Sequence, residues 1–276
     1  MTATRAQLGE LVRVLEAIGP MVVAFSGGAD SALLAWAATA VLGAEQVLCA
    51  TAVSTSLAPS ELADCRALSA EWGLRFVEVP TGELQDPAYV RNDEKRCYHC
   101  KSSLLDALVP LAVERSATVV LGVNLDDLSD HRPGQQAAAA GGARFPLVEA
   151  GMSKAHVREM SRRLGLRTWD KPAAACLASR LPHGTPVTVE RLSAVWAAES
   201  ALRSMGFGQL RVRHHGETAR LELDVADLSE ALARRQEVVA AVHRAGFRYV
   251  TLDLEGFRSG SLNPRRAPSP TAPEGT

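Results

Sequence analysis

The stretch Val22-Val23-Ala24-Phe25-Ser26-Gly27-Gly28-Ala29-Asp30-Ser31 decides how the chain is interpreted, because an apolar run meets two glycines and then an alanine- and leucine-rich segment. This pattern predicts a buried strand, a tight turn and a helix. Glycine lacks the Cβ atom that keeps a ligand away from the backbone, and the first N–H groups of a helix attract phosphate oxygens. The stretch therefore predicts a phosphate-binding loop, with an ordinary glycine turn as the alternative.

The residues around these glycines indicate which kind of phosphate loop this is. A Walker loop has the spacing GxxxxGK[ST], and its lysine reaches the β- and γ-phosphates, but no lysine follows Gly28 at that spacing. The string SGGADS instead resembles the SGGxDS loop of the N-type ATP pyrophosphatases, which cut ATP between the α- and β-phosphates and leave AMP on a substrate oxygen. The resemblance implies an ATP site, with its magnesium, at Ser26, Gly27, Gly28, Asp30 and Ser31.

Helical and strand patterns alternate after this loop. The sequence predicts helices at 31–42 and 60–72, and strands at 47–53, 74–79 and 118–123. Such alternation predicts βαβ units and a parallel sheet, with ligands at the carboxyl ends of the strands. Asn124, Asp126 and Asp127 follow the last strand, where they would suit nucleotide or magnesium contacts or form a solvated acidic loop.

The second half of the chain has a different pattern. Residues 130–144 are rich in glycine and alanine and predict a mobile loop, and a helix is predicted at 153–164. Next come a helix at 188–205, strands at 210–214 and 220–225, a helix at 228–245 capped by Asp227 and Glu230, and a strand at 249–254. We expect an α/β fold with a parallel-sheet, adenine-nucleotide alpha-hydrolase-like (PP-loop) domain at 1–185, a small α+β domain at 186–260 and a disordered tail at 261–276.

Composition limits the partners and the compartment. The 276 residues carry a formal net charge of −1, which gives no global field to attract nucleic acid or an anionic membrane. There is no run of about 18 apolar residues and no signal-peptide pattern. We expect a cytoplasmic homo-oligomer that acts on a small nucleotide substrate, with no nucleic-acid or membrane partner.

Three of the five cysteines lie in polar surroundings. Cys49 and Cys65 fall on apolar faces and are predicted to be buried fillers. Cys97 and Cys100 form a CxxC pair, which could bind one metal or redox centre or could be two incidental thiols. Cys176 lies near two cations in sequence, Lys171 and Arg180, and nearby cations lower the pKa of a thiol.

Three charged residues of the C-terminal region are also candidate functional residues. Glu199 falls on the apolar face of its helix, which indicates either a functional role or a structural ion pair. Arg211 and Arg213 share one face of a strand and could hold a phosphate. The alternative is a cross-strand salt bridge to Glu222 or Asp224.

Six segments together carry a broader resemblance: SGGADS, RCYHCK, GVNLDDLSDHRPG, PLVEAGMSKAHVRE, KPAAACLASRLPHGTP and RVRHHGETARLEL. They resemble the ATP-dependent sulfur transferases of the LarE family, from the N-terminal helix to about Phe257. The resemblance implies synthesis of the nickel-pincer nucleotide. In that reaction a carboxylate of pyridinium-3,5-dicarboxylate mononucleotide is adenylated, and sulfur then replaces AMP to give a thiocarboxylate.

The resemblance also implies roles for single residues. Cys176 corresponds to the sulfur-donating cysteine, and Glu199 and Glu222 to acidic residues near the reacting centre. Lys101, Arg211 and Arg213 correspond to ligands of the substrate phosphate.

The source of the sulfur stays open between two mechanisms. In one branch of the family the cysteine gives up its own sulfur and becomes dehydroalanine. In the other, three cysteines hold a [4Fe-4S] cluster with one iron open for an extra sulfide. Cys97, Cys100 and Cys176 fit the second branch, which we favour, and a donor protein would then supply sulfur or the cluster.

Two other classes of function are compatible with the phosphate loop. An amide-forming ligase of the NAD or GMP synthetase type would use ammonia and would not need Cys176. A non-catalytic nucleotide-binding module would leave the three polar cysteines unexplained.

Overall fold

The computed structural model describes residues 2–128, 133–172 and 175–258, and the predicted tail at 261–276 lies outside them. The chain divides into two compact units, 1–179 with 184–192, and 180–183 with 193–276. The domains predicted at 1–185 and 186–260, with their assigned roles, stay predictions. No described helix is long and apolar enough to cross a membrane.

The first unit is built on a four-stranded sheet. Its strands are β1 (Met21–Ala24), β2 (Val47–Val53), β3 (Phe76–Pro80) and β4 (Thr118–Leu121), in the order β3-β2-β1-β4, and every pairing is parallel. The predicted α/β class and the parallel sheet are therefore confirmed. The chain leaves β1 for β2 on one side and returns to β4 on the other, so a crevice is expected at the carboxyl ends of β1 and β4.

Helices cover both faces of this sheet. Their bounds are α1 (Thr2–Ile18), α2 (Ala29–Leu42), α3 (Pro59–Glu71), α4 (Pro87–Val90), α5 (Arg96–Glu114), α6 (Leu125–Leu128), α7 (Pro133–Ala140), α8 (Pro146–Glu149) and α9 (Lys154–Arg163). Successive β1 residues point to opposite faces, because Val23 belongs to the core under α1, α2 and α9 whereas Val22 belongs to the core under α5. Two apolar cores therefore fix the sheet between its helices.

The predicted mobile loop at 130–144 is wrong for much of its length, because Pro133–Ala140 is the helix α7. Proline suits the first position of a helix, and alanine has the highest helix propensity. Gly134 and Gly141 let α7 lie close to α5, since a Cβ at Gly134 would lie 2.8 Å from Lys101 Cγ and one at Gly141 would lie 2.5 Å from Leu105 Cδ1. These glycines serve close packing rather than loop mobility.

The second unit contains a three-stranded mixed sheet. Its strands β5 (Leu210–His215), β6 (Thr218–Leu223) and β7 (Tyr249–Leu252) lie in that order, antiparallel and then parallel. Its helices are α10 (Val189–Ser204), which begins in the first unit, α11 (Leu228–Ala233) and α12 (Arg235–Arg244).

The single helix predicted at 228–245 is wrong, because the chain breaks at Arg234, whose side chain donates to the Met205 carbonyl at 2.8 Å. Asp227 is the N-cap residue of α11, as predicted, but its side chain makes no capping hydrogen bond. The Asp224 carboxylate instead accepts the amide of Ala226 at 3.0 Å, which starts a short 3-10 turn before α11.

Candidate active site

The phosphate loop lies between β1 and α2. Gly27 has φ +66°, a left-handed conformation that favours glycine, and a Cβ there would lie 3.0 Å from Cys65 Sγ. Gly28 is the N-cap of α2, and no side chain in the described part of the chain caps this end of the helix. The hydroxyls of Ser26 and Ser31 are 3.0 Å apart, and Ser31 Oγ also accepts the Ser26 amide at 3.2 Å. The loop thus leads into the N-terminus of a 14-residue helix, and a helix N-terminus favours anions.

Gly122 explains why the loop and β4 lie so close together. It follows β4 directly, and a Cβ there would lie 2.6 Å from the Ser31 amide nitrogen. The strand predicted at 118–123 ends two residues early, at Leu121, where the Val123 amide turns back to the Leu121 carbonyl at 3.0 Å.

Asp30 belongs to a closed set of four residues, which we call the Asp30 ring. Lys154 Nζ pairs with Asp30 Oδ2 at 2.5 Å, and the Lys154 amide donates to Asp126 Oδ2 at 2.8 Å. The Asp126 amide donates to Asn124 Oδ1 at 3.0 Å, and Asn124 Nδ2 returns to Asp30 Oδ1 at 3.1 Å. The acidic segment after β4 thus braces the phosphate loop and the start of α9.

Lys154 is a residue that sequence reasoning missed as a site residue. It places an ammonium group beside the phosphate loop, although it lies more than a hundred residues from the glycines. The signal in the sequence was weak, since a lysine in the first turn of a helix is common.

One cavity of about 240 Å³ in the first unit brings several predicted residues together. Its lining includes Ser26 and Ser31 of the loop, Lys101, and the two cysteines Cys100 and Cys176. Residues of the predicted phosphate loop and two cysteine thiols therefore line one cavity, which the sequence could not show.

The three polar cysteines come from two segments. Cys97 and Cys100 lie in the first turns of α5, which the sequence analysis did not identify as a helix, and Cys176 precedes the 3-10 helix Leu177–Arg180. Cys97 and Cys176 are exposed. Burial, with a smaller contribution from the negative charge that Cys176 would carry, raises the pKa of Cys100 to about 12, so Cys100 is a neutral thiol near neutral pH.

Arg96 fixes the segment after Cys176 to the helix that carries the CxxC pair. Its guanidinium donates to the Ala178 carbonyl at 2.9 Å and to Asn92 Oδ1 at 2.5 Å. The Leu177 amide donates to the Ser56 carbonyl at 2.9 Å. Cys176 is thus followed by backbone that is held from two sides.

The two cations that the sequence places near Cys176 have carboxylate partners. Lys171 Nζ lies 2.6 Å from Asp64 and 2.9 Å from Glu61, and also donates to the Gly27 carbonyl. Arg180 pairs with Glu199 at 2.8 Å. Lys171 therefore braces the phosphate loop, a role that its place in the sequence did not indicate.

Glu199 and Glu222, the predicted catalytic carboxylates, are buried in ion pairs of the second unit. Glu199 accepts from Arg180, from Arg203 at 2.8 Å and from the Val212 amide at 3.1 Å. Burial alone would raise the pKa of Glu199, but these donors outweigh it, Arg180 most of all, and the pKa is lowered. The structural ion pair that the sequence analysis left open is therefore present.

The paired arginines of β5 have different surroundings. Arg213 pairs with Glu222 at 2.8 Å, which is the salt bridge weighed from the sequence, and Arg220 also contacts Glu222 at 2.8 Å. Arg211 lies over the Phe257 ring at 5.1 Å. Burial, together with the positive charges of Arg180, Arg213 and Arg203, lowers the pKa of Arg211 to about 10. The surroundings of Arg211 are thus rich in positive charge.

Comparisons with known proteins cover nearly the whole chain. An uncharacterized protein of Synechocystis sp. is 47% identical over 94% of this chain and 95% of its own length. The pyridinium-3,5-bisthiocarboxylic acid mononucleotide synthase of Lactiplantibacillus plantarum is 36% identical over 95% of this chain and 96% of its own. An uncharacterized protein of Methanocaldococcus jannaschii is 25% identical over 87% of this chain and 91% of its own. No family model matches. Identity to the synthase at this level and coverage shows that the chain belongs to the LarE family.

Proposed function

We propose that this protein is an ATP-dependent sulfur transferase of nickel-pincer nucleotide synthesis. It adenylates a carboxylate of pyridinium-3,5-dicarboxylate mononucleotide, releases pyrophosphate, and replaces AMP by sulfur to give a thiocarboxylate. The observation that carries the proposal is that one cavity is lined by Ser26 and Ser31 of the phosphate loop and by Cys100, Lys101 and Cys176, in a chain that aligns with a synthase over almost its whole length.

Adenylation makes a poor leaving oxygen into a good one. The substrate carboxylate oxygen attacks the α-phosphorus, and the bond from that phosphorus to the bridging oxygen breaks as pyrophosphate leaves. In this proposal the N-terminus of α2 and the Lys154 ammonium, which pairs with Asp30 of that helix, stabilise the negative charge that develops on the phosphates. Asp30 holds Lys154 in place, so we assign it a positioning role.

Sulfur transfer needs a nucleophilic sulfur beside the acyl adenylate. The sulfur bonds to the acyl carbon, and AMP leaves with the electron pair of the C–O bond. If that sulfur is Sγ of Cys176, a base then removes the Cα proton and the Cβ–Sγ bond breaks with its electron pair on sulfur, which releases the thiocarboxylate and leaves dehydroalanine. Cys176 is the exposed thiol of the cavity, whereas Cys100 is protonated there because of burial. Cys176 is therefore the sulfur-bearing residue in this proposal.

In the described residues no three His, Cys, Asp or Glu side chains lie close enough together to bind a metal ion. The arrangement therefore does not fit a magnesium ion or an iron–sulfur cluster as it stands. Both Asp30 oxygens have protein partners. No step above is routed through either group. Magnesium bound to ATP itself and a cluster at Cys97, Cys100 and Cys176 stay hypotheses, and the second is tested below.

The remaining assignments rest on the resemblance. We assign Lys101, Arg211 and Arg213 to the substrate phosphate, supported by the positive charge around Arg211. Glu222 pairs with Arg213, and Glu199 accepts the Val212 amide between Arg211 and Arg213, so we assign both carboxylates a positioning role rather than proton exchange. A cytoplasmic homo-oligomer that receives sulfur from a donor protein completes the proposal.

The test is a reaction of anaerobically purified protein with ATP and the dicarboxylate mononucleotide, followed by assays of pyrophosphate, AMP and the thiocarboxylate product. All three should form in the parent. Cys176→Ala should release pyrophosphate but yield no thiocarboxylate, and the buried Cys49→Ala should behave as the parent. An amide product formed with ammonia in Cys176→Ala and parent alike would favour the ligase, and no pyrophosphate at all would favour the binding module.

The same reaction separates the two sulfur sources. If Cys176 gives up its own sulfur, the protein is colourless, Cys97→Ala still reacts once, and the intact mass shows one sulfur lost at Cys176. If a cluster supplies it, the protein is brown, contains iron and acid-labile sulfide, and loses iron in each of Cys97→Ala, Cys100→Ala and Cys176→Ala.

A further inference from the structure

Glu83 is a buried carboxylate on the wall of the cavity. It begins the 3-10 helix Glu83–Gln85 shortly after β3, where the Thr81 amide donates to the Val53 carbonyl at 3.1 Å. The residue is 3% exposed and lines the same space as Ser26 and Ser31. A carboxylate is thus placed at the carboxyl edge of the parallel sheet, where folds of this kind bind nucleotides.

One oxygen of Glu83 is fixed by Ser54. The Ser54 hydroxyl donates to Glu83 Oε1, and it accepts the Ser56 amide at 3.1 Å. Because that amide occupies a lone pair of the hydroxyl, the hydroxyl proton is directed at Glu83. Ser54 therefore sets the orientation of the carboxylate.

The other oxygen of Glu83 is unsatisfied. Oε2 is buried, and no group in the described part of the chain donates a hydrogen bond to it. Buried polar atoms are nearly always hydrogen-bonded, and those of carboxylates are especially costly to leave without a donor. The arrangement indicates a donor that arrives with a ligand.

The chemistry of the site selects the donor. A carboxylate oxygen only accepts, so it selects a hydroxyl or an amino group. The phosphate loop lines the same cavity, and the ribose hydroxyls are the donors that lie nearest to the phosphates of a nucleotide. In dinucleotide-binding sheets an acidic side chain at this edge accepts from a ribose hydroxyl.

We propose that Glu83 Oε2 accepts a hydrogen bond from a ribose hydroxyl of the nucleotide that occupies this cavity. The inference rests on the proposed function, which supplies two ribose-bearing ligands, ATP and the pyridinium mononucleotide. It makes Glu83 a binding residue that distinguishes ribonucleotides from their deoxy analogues.

The first measurement needs no variant. Isothermal titration of the parent with ATP, 2′-deoxy-ATP, 3′-deoxy-ATP and inosine triphosphate should show one deoxy analogue binding about 10- to 100-fold more weakly than ATP, the range of one hydrogen bond to a charged group. Inosine triphosphate, which lacks the adenine amino group, should bind like ATP. If inosine triphosphate alone binds weakly, the donor is the adenine amino group and the proposal is overturned.

The variant Glu83→Ala then tests whether that loss belongs to Glu83. ATP should bind to it as weakly as the deoxy analogue binds to the parent, and the two ligands should no longer differ. The exposed carboxylate variant Glu94→Gln is the matched control and should bind every ligand as the parent does. Ser54→Ala retains Glu83 but releases its orientation, and should give a smaller loss in the same analogue.

The second arm uses the dicarboxylate mononucleotide and its 2′- and 3′-deoxyribose analogues. If Glu83→Ala abolishes discrimination here and not with ATP, the ribose belongs to the substrate. If the parent binds ATP and releases pyrophosphate but neither arm depends on Glu83, the inference fails and the proposed function stands. A parent that neither binds ATP nor releases pyrophosphate contradicts the proposed function itself.

Discussion

Asp30 belongs to the predicted phosphate-loop motif, and its carboxylate holds two other residues in place. In the sequence it is one letter of SGGADS, whereas in the fold its two oxygens hold Lys154 and Asn124. The carboxylate therefore holds the Lys154 ammonium beside the predicted phosphate loop. In the proposed function this gives a negative side chain a use in a loop that would bind negative groups.

Asp30→Ala should strongly reduce pyrophosphate release, because it frees Lys154 and Asn124 from the loop. Lys154→Met should reduce it too, and the double variant should lose little more than the worse single one, since the two residues act as a pair. Steady-state pyrophosphate assays measure this.

Lys95→Met, which removes an exposed positive charge outside the Asp30 ring, serves as the control for loss of one positive charge. Pyrophosphate release at the parent rate in Asp30→Ala would show that the loop is not the ATP site. If the double variant loses pyrophosphate release by the full sum of the two single losses in free energy, Asp30 and Lys154 act independently of each other.

Single residues were predictable where the reason is local. Cys49 and Cys65 are buried, as their apolar neighbours indicate. Lys154 and Glu83 could not be found in this way, because each becomes a site residue only when chain folding places it beside the loop or cavity. The partners of Lys171 and Arg180 were missed for the same reason, since nearness in sequence says little about contact.

At the scale of elements, α7 shows how composition can mislead. A segment rich in glycine and alanine was interpreted as a mobile loop, yet the alanines form a helix and the glycines form its contact with α5. The spacing of Gly134 and Gly141 is two helical turns, a signal that could have been used. The break in the predicted helix at 228–245 coincides instead with a tertiary contact, from Arg234 to the Met205 carbonyl, and β4 ends early at a tight turn in which the Val123 amide donates to the Leu121 carbonyl.

Gly134→Ala should destabilise the protein, although alanine is the better helix former by about 1 kcal/mol. The new Cβ would lie 2.8 Å from Lys101 Cγ and 3.0 Å from the Cys97 carbonyl oxygen. Overpacking of this kind costs about 1–3 kcal/mol, so a net loss is expected. Urea denaturation measures the change.

The control is Gly208→Ala, since a Cβ there meets nothing within 4 Å and its φ is not in the left-handed region. That variant should change the free energy of unfolding by less than about 0.5 kcal/mol. Equal stability of the two variants would mean that α7 can move away from α5 at little cost.

The helix α10 carries a pH-dependent contribution to stability through Glu199. Its pKa in the folded protein lies below the ordinary value of 4.5. The contribution is therefore complete above about pH 4.5 and is lost as the pH falls through the lower folded pKa. Glu199→Gln should cost about 3–5 kcal/mol at pH 7, because it breaks a buried ion pair and leaves arginine charge uncompensated.

Urea denaturation between pH 3 and pH 7 tests this, with the exposed Glu230→Gln as the control. The parent should lose stability below pH 4.5 more steeply than Glu199→Gln does. Identical pH profiles for the parent and Glu199→Gln would show that folding leaves the pKa of Glu199 unchanged, which contradicts the lowered pKa.

For the whole molecule, the parallel sheet and its cavity were predictable in outline and not in detail. Strand and helix alternation in the first 123 residues is enough to predict β1 to β4 as parallel strands with a ligand at one edge. Which side chains meet at that edge depends on segments far apart in the chain, such as the Cys176 segment and α5. The hydrophobic pattern of the sequence does not indicate which of these distant segments contact one another.

ATP should stabilise the folded protein by mass action. At about one hundred times its dissociation constant the free energy of unfolding should rise by about 2.7 kcal/mol. Thermal and urea denaturation with and without ATP measure it. At that same ATP concentration the stabilisation of Asp30→Ala should be smaller, and no stabilisation of the parent would contradict an ATP site in the native state.

The Asp30 ring also has a kinetic consequence. Its four links close on themselves, so none of its residues can leave without releasing another. The Lys154 amide proton is one of those links and exchanges with deuterium only when the ring opens. The exchange rate of this amide should therefore fall if a bound nucleotide stabilises the Asp30 ring, and should rise if the nucleotide draws Lys154 out of it.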